Sequence, residues 1–383
     1  MTIDSAAWTP PVAPQPQPGA ARAAGLHARD AWRALRAACA PFRDGTRFRV
    51  LPDVRFWRDD ARLRAPGAAL PGPSDRTLAA YRARLAVDGA SAFALRVDEP
   101  LLADAPLWQA ARALLRDALG TESIPVLPVA AALTLRAGDA PAPWSWPDGH
   151  ARLIAVLDGT LRLDDGRVVM RGDALWWPAD AGASPQDAGA LLLSLCISTD
   201  PETIAQAVAE ATDALLRDLL ERQWPDDGAV EMRPFPPPLG ARGLAPPPAL
   251  RAVAQALSAA SLHDALSEAL ALDACLRASS RGLLPIPGVR HAPLSDEAHV
   301  RLCADGVIRR RLDDRRWLLA VNGHVQRVDA RPAWRRAWTR LCTGAPQRVG
   351  DLVGVARDRD AVRERLDALH ALGALDLIEA PVP

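Results

Sequence analysis

The sequence has few cysteines and no long apolar run, and its charges cancel. The five cysteines among 383 residues are scattered and never spaced as C-x-x-C, which argues against a disulfide framework and a zinc knuckle and favours a reducing cytoplasm. No stretch of about 18 apolar residues free of charge occurs, so a transmembrane helix is not expected. With 46 basic and 46 acidic residues, we expect neither nucleic acid nor a membrane as a partner.

Several motifs are missing as well. No P-loop, no Gly-x-Gly-x-x-Gly at a strand–helix junction and no Ser-His-Asp order is visible, so nucleotide, dinucleotide and hydrolase functions have no support. All basic residues are arginine and asparagine occurs once, at Asn322, a bias that reflects a GC-rich genome rather than a function. The first residues lack the basic start and apolar segment of a signal peptide, and we expect residues 1–22 to be a disordered, proline-rich tail.

Helix and strand patterns alternate in the first third of the chain. Hydrophobic residues make up 49% of the sequence, which is enough for the packed cores of two or three domains. Apolar spacing predicts helices over 27–43, 74–89 and 106–120, the second of them capped by Ser74. The run RFRVLPDVRFW predicts two short strands joined at Pro52-Asp53.

From residue 129 to residue 198 the chain changes to short apolar strands separated by turn signals such as Gly159 and Gly172-Asp173. Short strands at near-regular spacing are typical of an antiparallel barrel or a double-sheet jelly roll. We therefore interpret residues 23–200 as a cupin-like barrel domain. The strand runs are VAAALTLRAG, ARLIAVLDG, TLRLDDG, RVVMRGD, ALWWPAD and ALLLSLCIS.

The rest of the chain divides into two units. Residues 201–300 are predicted to be a helical region, because PETIAQAVAEATDALLRDLLERQW carries an apolar stripe suited to packing on another helix or another subunit. Residues 301–383 combine a hairpin at Asn322-Gly323 with three helices and a final strand, which is typical of a winged-helix-like module. Over 331–379, nine arginines stand against seven acidic residues, so this module is nearly neutral and DNA binding is not expected.

The segment 90–198 resembles a known family. Its pattern G-A-x-A-F-x-L-x-V, followed by WPDGHARLIAVLDGTLRL, MRGDALWWPAD and ALLLSLCIS, is similar to the JmjC-type cupin hydroxylases, specifically to their ribosomal-oxygenase branch. The resemblance implies an α+β fold in which a double-stranded β-helix (cupin/JmjC jelly roll) precedes an all-helical dimerisation region and a C-terminal winged-helix-like domain. It also implies a homodimer.

Members of this family are iron(II)- and 2-oxoglutarate-dependent protein hydroxylases that hold iron with a His-x-Asp motif and a distal His. Alignment of the strands puts Trp146 in place of the first His, Asp148 on the Asp, and Ala183 near the distal His. A facial triad needs two His and one carboxylate, so this set is not expected to retain iron. The family's basic partner of 2-oxoglutarate falls on Leu161, and Arg162 is expected to face the other way unless the register slips by one residue.

These observations favour a cytoplasmic, catalytically degenerate JmjC-like protein with no cofactor and no metal, acting as a protein- or peptide-binding module. The alternative is an active Fe(II)/2-oxoglutarate-dependent hydroxylase with a non-standard metal site that includes Asp148 and His150. A transcriptional regulator acting through the winged helix is least favoured, because that module lacks net positive charge. Tryptophans at the barrel mouth either fill the vacated cavity or bind a ligand. The candidate pocket residues are Trp146, Asp148, His150, Leu161, Arg162, Trp176, Trp177 and Ala183.

Overall fold

The computed structural model describes the barrel and the C-terminal unit in most of their length. The candidate residues Trp146, Asp148 and Ala183 lie outside the described residues, and so does most of the predicted dimerisation region at 201–300. The described residues are 11–43, 53–58, 61–89, 92–120, 124–125, 128–138, 149–179, 181, 186–187, 189–199, 209, 212–213, 262–283, 286–288, 293–303, 307–354 and 358–378.

The helices predicted in the first third of the chain are confirmed. The helix predicted over 74–89 begins later than expected, because Thr77 rather than Ser74 caps it by accepting a hydrogen bond from the Ala80 N–H at 3.1 Å. Asp104 caps the third helix in the same way, through the Leu107 N–H at 2.9 Å. The elements are β1 Gln15–Gln17, α1 Ala20–Ala23, α2 Ala28–Arg43, β2 Asp53–Arg58, β3 Ala61–Leu63, α3 Leu78–Val87, β4 Phe93–Asp98 and α4 Ala105–Leu119.

Seven strands follow, and all their pairings are antiparallel. One sheet has the strand order β1-β9-β6-β11-β5-β4-β2-β3, and a second, smaller sheet has the order β10-β7-β8. This agrees with the predicted double-sheet core. The strands are β5 Ala130–Ala137, β6 His150–Asp158, β7 Thr160–Arg162, β8 Val168–Met170, β9 Ala174–Trp177, β10 Gln186–Asp187 and β11 Leu191–Ser198.

The large sheet is buried on both faces. Its outer face packs on α2, α3 and α4 around residues such as Leu133, Leu153 and Leu193. Its inner face meets the small sheet, where Ile154 and Leu192 join Leu161 in a separate apolar cluster. Apolar residues on both faces explain why these strands are continuous apolar runs rather than alternating ones.

Residues 11–22 correct the expectation of a disordered tail. Gln15–Gln17 form strand β1, which pairs with β9 along the edge of the large sheet. The Asp173 carboxylate fixes this segment by accepting hydrogen bonds from the Gly19 N–H at 2.8 Å and the Met170 N–H at 3.0 Å. Proline is tolerated here because an edge strand needs only half of its backbone donors.

The C-terminal unit contains the predicted hairpin. Asn322 and Gly323 have φ angles of 48° and 83°, and a type I′ turn requires positive φ at both positions. Two three-stranded sheets form, with the orders β13-β14-β15 and β16-β12-β17. The elements are α5 Leu262–Ser280, β12 His299–Leu302, β13 Val307–Arg311, β14 Arg316–Val321, β15 His324–Asp329, α6 Pro332–Leu341, β16 Gln347–Arg348, α7 Val349–Val353, α8 Arg359–Ala371 and β17 Leu375–Ile378.

Hydrogen bonds join this unit to the barrel at the hairpin turn. The Ser279 hydroxyl at the end of α5 accepts from the Gly323 N–H at 3.0 Å, and the Ser279 carbonyl accepts from the Arg112 guanidinium of α4 at 2.6 Å. The Asn322 amide donates to the Leu372 carbonyl at 2.7 Å. Helix α4, the C-terminal ends of α5 and α8, and the turn of the β14–β15 hairpin are therefore linked by hydrogen bonds. Among the described helices, none is both long enough and apolar enough to span a bilayer.

Candidate functional site

The inner face of the large sheet changes from apolar to polar along its strands. At one end, Ile154, Val156 and Leu192 pack against the small sheet. Two residues further along the strands, the register places Ser194 beside Ile154, and then Cys196 beside Arg152. Because alternate residues of a strand share a face, these side chains lie on the same side of the sheet. The polar end of this face is the candidate binding site.

Three polar groups on this face have no hydrogen-bond partner within the described part of the chain. They are the hydroxyls of Thr134 and Ser194 and the indole nitrogen of Trp177. The three side chains are buried, with exposed fractions of 1%, 0% and 3%. An unsatisfied buried polar group costs about 1–3 kcal/mol, so several on one face indicate a place that a ligand completes.

A buried arginine, Arg152, lies on the same face of the sheet as these polar groups. Arg152 is directly opposite Cys196 on one side and Trp177 on the other, and its side chain is buried. Burial lowers the pKa of Arg152, because a guanidinium removed from water loses hydration that favours its charged form. An anion placed beside Arg152 would replace the lost hydration.

A second buried arginine lies three strands away, on β4, and forms an ion pair. Arg96 donates to the Asp98 carboxylate at 2.7 Å, and Arg55 of β2 lies 3.4 Å from the other oxygen of Asp98. The far side of the face is therefore an ion-pair network. Arg152 remains the cation closest to the unpaired hydroxyl of Ser194.

Two further titratable side chains border the site. Burial raises the pKa of the Cys196 thiol to about 12, so it is protonated at neutral pH and is neither a nucleophile nor a metal ligand in that form. Glu99 follows β4 with a positive φ of 56°. Burial raises the pKa of its carboxyl to about 8, and the neighbouring Asp98 charge adds to the effect.

The structure separates the candidate residues predicted from sequence. Leu161 is fully buried in the apolar cluster between the sheets, while Arg162 is exposed on the outer face of the small sheet. Trp177 lies on the inner face, whereas Trp176 belongs to the outer apolar core. His150 begins β6 opposite Ser198, half-buried at the rim of the polar end.

The donor set of the described residues does not form a metal site. Among them, no three His, Cys, Asp or Glu side chains converge closely enough to hold an ion. His150 is the imidazole nearest the polar end. Ser198 lies opposite it on β11, and Arg152 follows it by two residues on β6. A hydroxyl and a guanidinium are not ligands that iron(II) prefers.

Sequence reasoning missed Thr134 and Ser194. Each is a single hydroxyl residue inside an otherwise apolar strand, in ALTLRA and in LLLSLCIS. Such isolated polar residues are a usable signal, because a buried hydroxyl needs a partner. Their position on one face became visible only with the register of β5, β11 and β6.

No protein-family model and no curated protein matches this chain. Solved structures of the ribosomal oxygenase YcfD from Escherichia coli do match it. The complex with cobalt and 2-oxoglutarate is 16% identical with a TM-score of 0.42, covering 91% of this chain and 89% of that chain. Another YcfD structure is 15% identical, also with a TM-score of 0.42, and covers 95% of each chain. The protein is thus similar over most of its length to a ribosomal oxygenase, the kind of protein that its sequence patterns resemble.

Proposed function

We propose that this protein is a catalytically degenerate, JmjC-like binding module whose barrel takes a peptide or protein segment through a carboxylate. The observation that carries this proposal is the pair of buried donors without a partner among the described residues, Ser194 and Trp177, which lie next to Arg152 on the same face. An ionised carboxylate offers about four acceptor positions and a negative charge. Its oxygens would accept hydrogen bonds from the Ser194 hydroxyl and the Trp177 indole beside the charge of Arg152. Thr134 is paired with Leu192 further along the sheet, so it lies outside the reach of the same carboxylate.

The surroundings of these donors fit a side chain or chain terminus rather than a free ion. Ile154, Leu175 and Leu192 line the same face immediately beside the polar groups. Binding sites for organic ligands combine apolar walls with a few placed polar groups. The methylene groups of a Glu or Asp side chain would lie on this wall while the carboxylate reaches Arg152.

The described residues do not suit iron and 2-oxoglutarate. The resemblance assigns the co-substrate's basic partner to Leu161, which packs among methyl groups between the two sheets. A carboxylate there would be buried without a counter-charge, at a cost of several kcal/mol.

Arg152→Met is expected to weaken the binding of acidic peptides by about 30-fold or more, because losing one partner of a buried charge pair costs about 2–5 kcal/mol. The probe is a pair of fluorescein-labelled octapeptide pools, random except at one central position that is Glu in the first pool and Gln in the second. Fluorescence anisotropy should show that the unsubstituted protein prefers the Glu pool by about tenfold.

Arg162→Met is the matched control, since it removes the same charge from the exposed outer face of β7. It should leave the affinity for the Glu pool unchanged within about twofold. Equal affinities for the two pools, or an Arg152→Met variant that binds as well as the unsubstituted protein, would contradict carboxylate binding at this site.

Ser194→Ala is expected to stabilise the ligand-free protein by about 1 kcal/mol, because it removes a buried hydroxyl that has no partner. The same substitution should weaken binding of the Glu pool. Unfolding in urea measures the first effect and anisotropy the second. A stabilising substitution that impairs binding is the signature of a site kept unsatisfied for a ligand.

Ser279→Ala is the control for this prediction. Ser279 is equally buried, but its hydroxyl accepts a hydrogen bond from the Gly323 N–H. Its loss should therefore destabilise the protein by about 1 kcal/mol and leave peptide binding unchanged. If Ser194→Ala instead destabilises the protein and leaves binding intact, the Ser194 hydroxyl is structural and does not bind a ligand.

The competing function is an active hydroxylase with an unusual metal site. Protein reconstituted with iron(II) under anaerobic conditions and then given 2-oxoglutarate and oxygen should release no succinate above the protein-free blank. Stoichiometric iron together with succinate release would replace the binding module with the oxygenase. We also propose the homodimer that the family resemblance implies, and a monomeric mass in light scattering would rule it out.

A further inference from the structure

The positive charge of this neutral chain is concentrated in one continuous segment. Residues 307–340, all of them described, contain ten arginines against three aspartates and no glutamate, a formal charge of +7. The whole chain has a formal charge of zero, so the remainder carries −7. The segment 331–379 is nearly neutral, because it leaves out the arginines of β13–β15 and includes α8, where three arginines meet three acidic residues.

Six of these arginines keep their charge unneutralised. Glu268, Asp313, Asp314, Asp329 and Asp358 form ion pairs with the other four. Within the described residues, the six form no ion pair and are exposed to solvent. They are Arg309, Arg310, Arg315, Arg335, Arg336 and Arg340. Arg310 is paired with Leu318, whose side chain packs on α5, so Arg310 points away from Arg309. We call the other five arginines the basic face.

The basic face joins a strand edge to a helix. Arg309 of β13 and Arg335 of α6 both lie over the Trp317 ring, with guanidinium carbons 4.9 Å and 5.8 Å from its centre. β13 is the edge of its sheet, and α6 exposes Arg336 and Arg340 in addition to Arg335. The sequence of α6, PAWRRAWTRL, contains no acidic residue.

We propose that the basic face binds double-stranded DNA through its phosphate backbone. A guanidinium matches a phosphate by charge and by its paired donors, and clustered arginines on one face are typical of nucleic-acid contacts. The rest of the chain carries a net charge of −7, which disfavours phosphate contacts outside this segment. The proposal replaces the expectation of no nucleic-acid partner, which rested on the zero charge of the whole chain and on the segment 331–379, of which only 331–340 lies in the basic segment.

The side chains favour a duplex over a single strand. Sequence-independent binding of single strands uses exposed aromatic rings on which bases stack. Here Trp334 and Trp338 are buried in the core, and Trp317 lies beneath the two guanidinium groups. DNA is favoured over RNA because the major groove of a DNA duplex admits a helix such as α6, whereas the major groove of an RNA duplex is deep and narrow.

The test is fluorescence anisotropy of the full chain with a labelled, random-sequence DNA duplex of about 20 base pairs at several salt concentrations. The double variant Arg315→Gln, Arg336→Gln removes two guanidinium groups of the basic face that make no hydrogen bond or ion pair within the described chain. We expect its affinity to fall by tenfold or more at about 50 mM salt, and the log–log salt slope to decrease by about 2.

The double variant Arg76→Gln, Arg162→Gln makes the same charge change on exposed residues of the barrel domain and should bind DNA like the unsubstituted protein. Equal losses in the two double variants would mean general charge attraction and would overturn the proposal. It would also fail if no duplex bound at about 10 µM protein, or if an RNA duplex of the same length bound tenfold more tightly. Unchanged melting temperatures confirm that both double variants are folded.

Discussion

Gly323→Ala is expected to destabilise the protein by about 2–5 kcal/mol. Gly323 has a φ of +83°, a conformation that costs an L-residue about 1–2 kcal/mol. An added Cβ would also stand 2.5 Å from Ile286 Cδ1 and 3.1 Å from Ser280 Cβ, so these side chains would have to move. Unfolding in urea measures the loss.

Gly344→Ala separates the two causes. Gly344 has a φ of +73°, but no atom lies within 4 Å of the position its Cβ would take. It should therefore show only the conformational cost of about 1–2 kcal/mol. If both substitutions cost the same, the close approach of the hairpin turn to α5 contributes nothing. Hydrogen exchange should also show faster opening at the Ser279 contacts in Gly323→Ala alone.

Glu99→Gln is expected to stabilise the protein at high pH and to have no effect at low pH. The folded pKa of about 8 lies above the ordinary glutamate pKa of 4.5, so the folded state binds this proton more tightly than the unfolded state. The stabilising effect of the neutral carboxyl is thus complete below pH 4.5 and is lost as the pH rises towards 8. Glutamine stays neutral and avoids that loss.

The size of this effect follows from the shift. The full difference corresponds to about 5 kcal/mol, and because water reaches part of the Glu99 carboxyl we expect about 2–3 kcal/mol between pH 4.5 and pH 9. Urea unfolding of both proteins across this range measures it. A constant difference between Glu99→Gln and the unsubstituted protein at all pH values would contradict burial of the Glu99 carboxyl.

Local signals in the sequence predicted most elements of the fold. Asn322-Gly323 specified its turn, and Gly120 stopped α4, because each effect depends on the backbone preferences of one or two residues. Strand β1 could not be predicted in this way. The run QPQ has no apolar alternation, and it becomes a strand only because β9 offers an unpaired edge to it.

The candidate site depended even more on tertiary structure. The neighbouring Trp176 and Trp177 face opposite sides of the sheet, and the sequence alone could not say which of them enters the barrel. The basic face was missed for a related reason, since β13 and α6 are separated in sequence by a hairpin and become adjacent only through Trp317. Strand register and packing decide both outcomes.

The pairing of β1 with β9 has a practical consequence for handling the protein. A chain trimmed at residue 22, where the tail had been expected to end, would leave the backbone of β9 uncovered next to Trp176 and Trp177. Uncovered strand edges with large apolar neighbours recruit other chains and promote aggregation. The short proline-containing strand β1 thus covers this edge and prevents such pairing, and a shortened chain made for experiments should retain it.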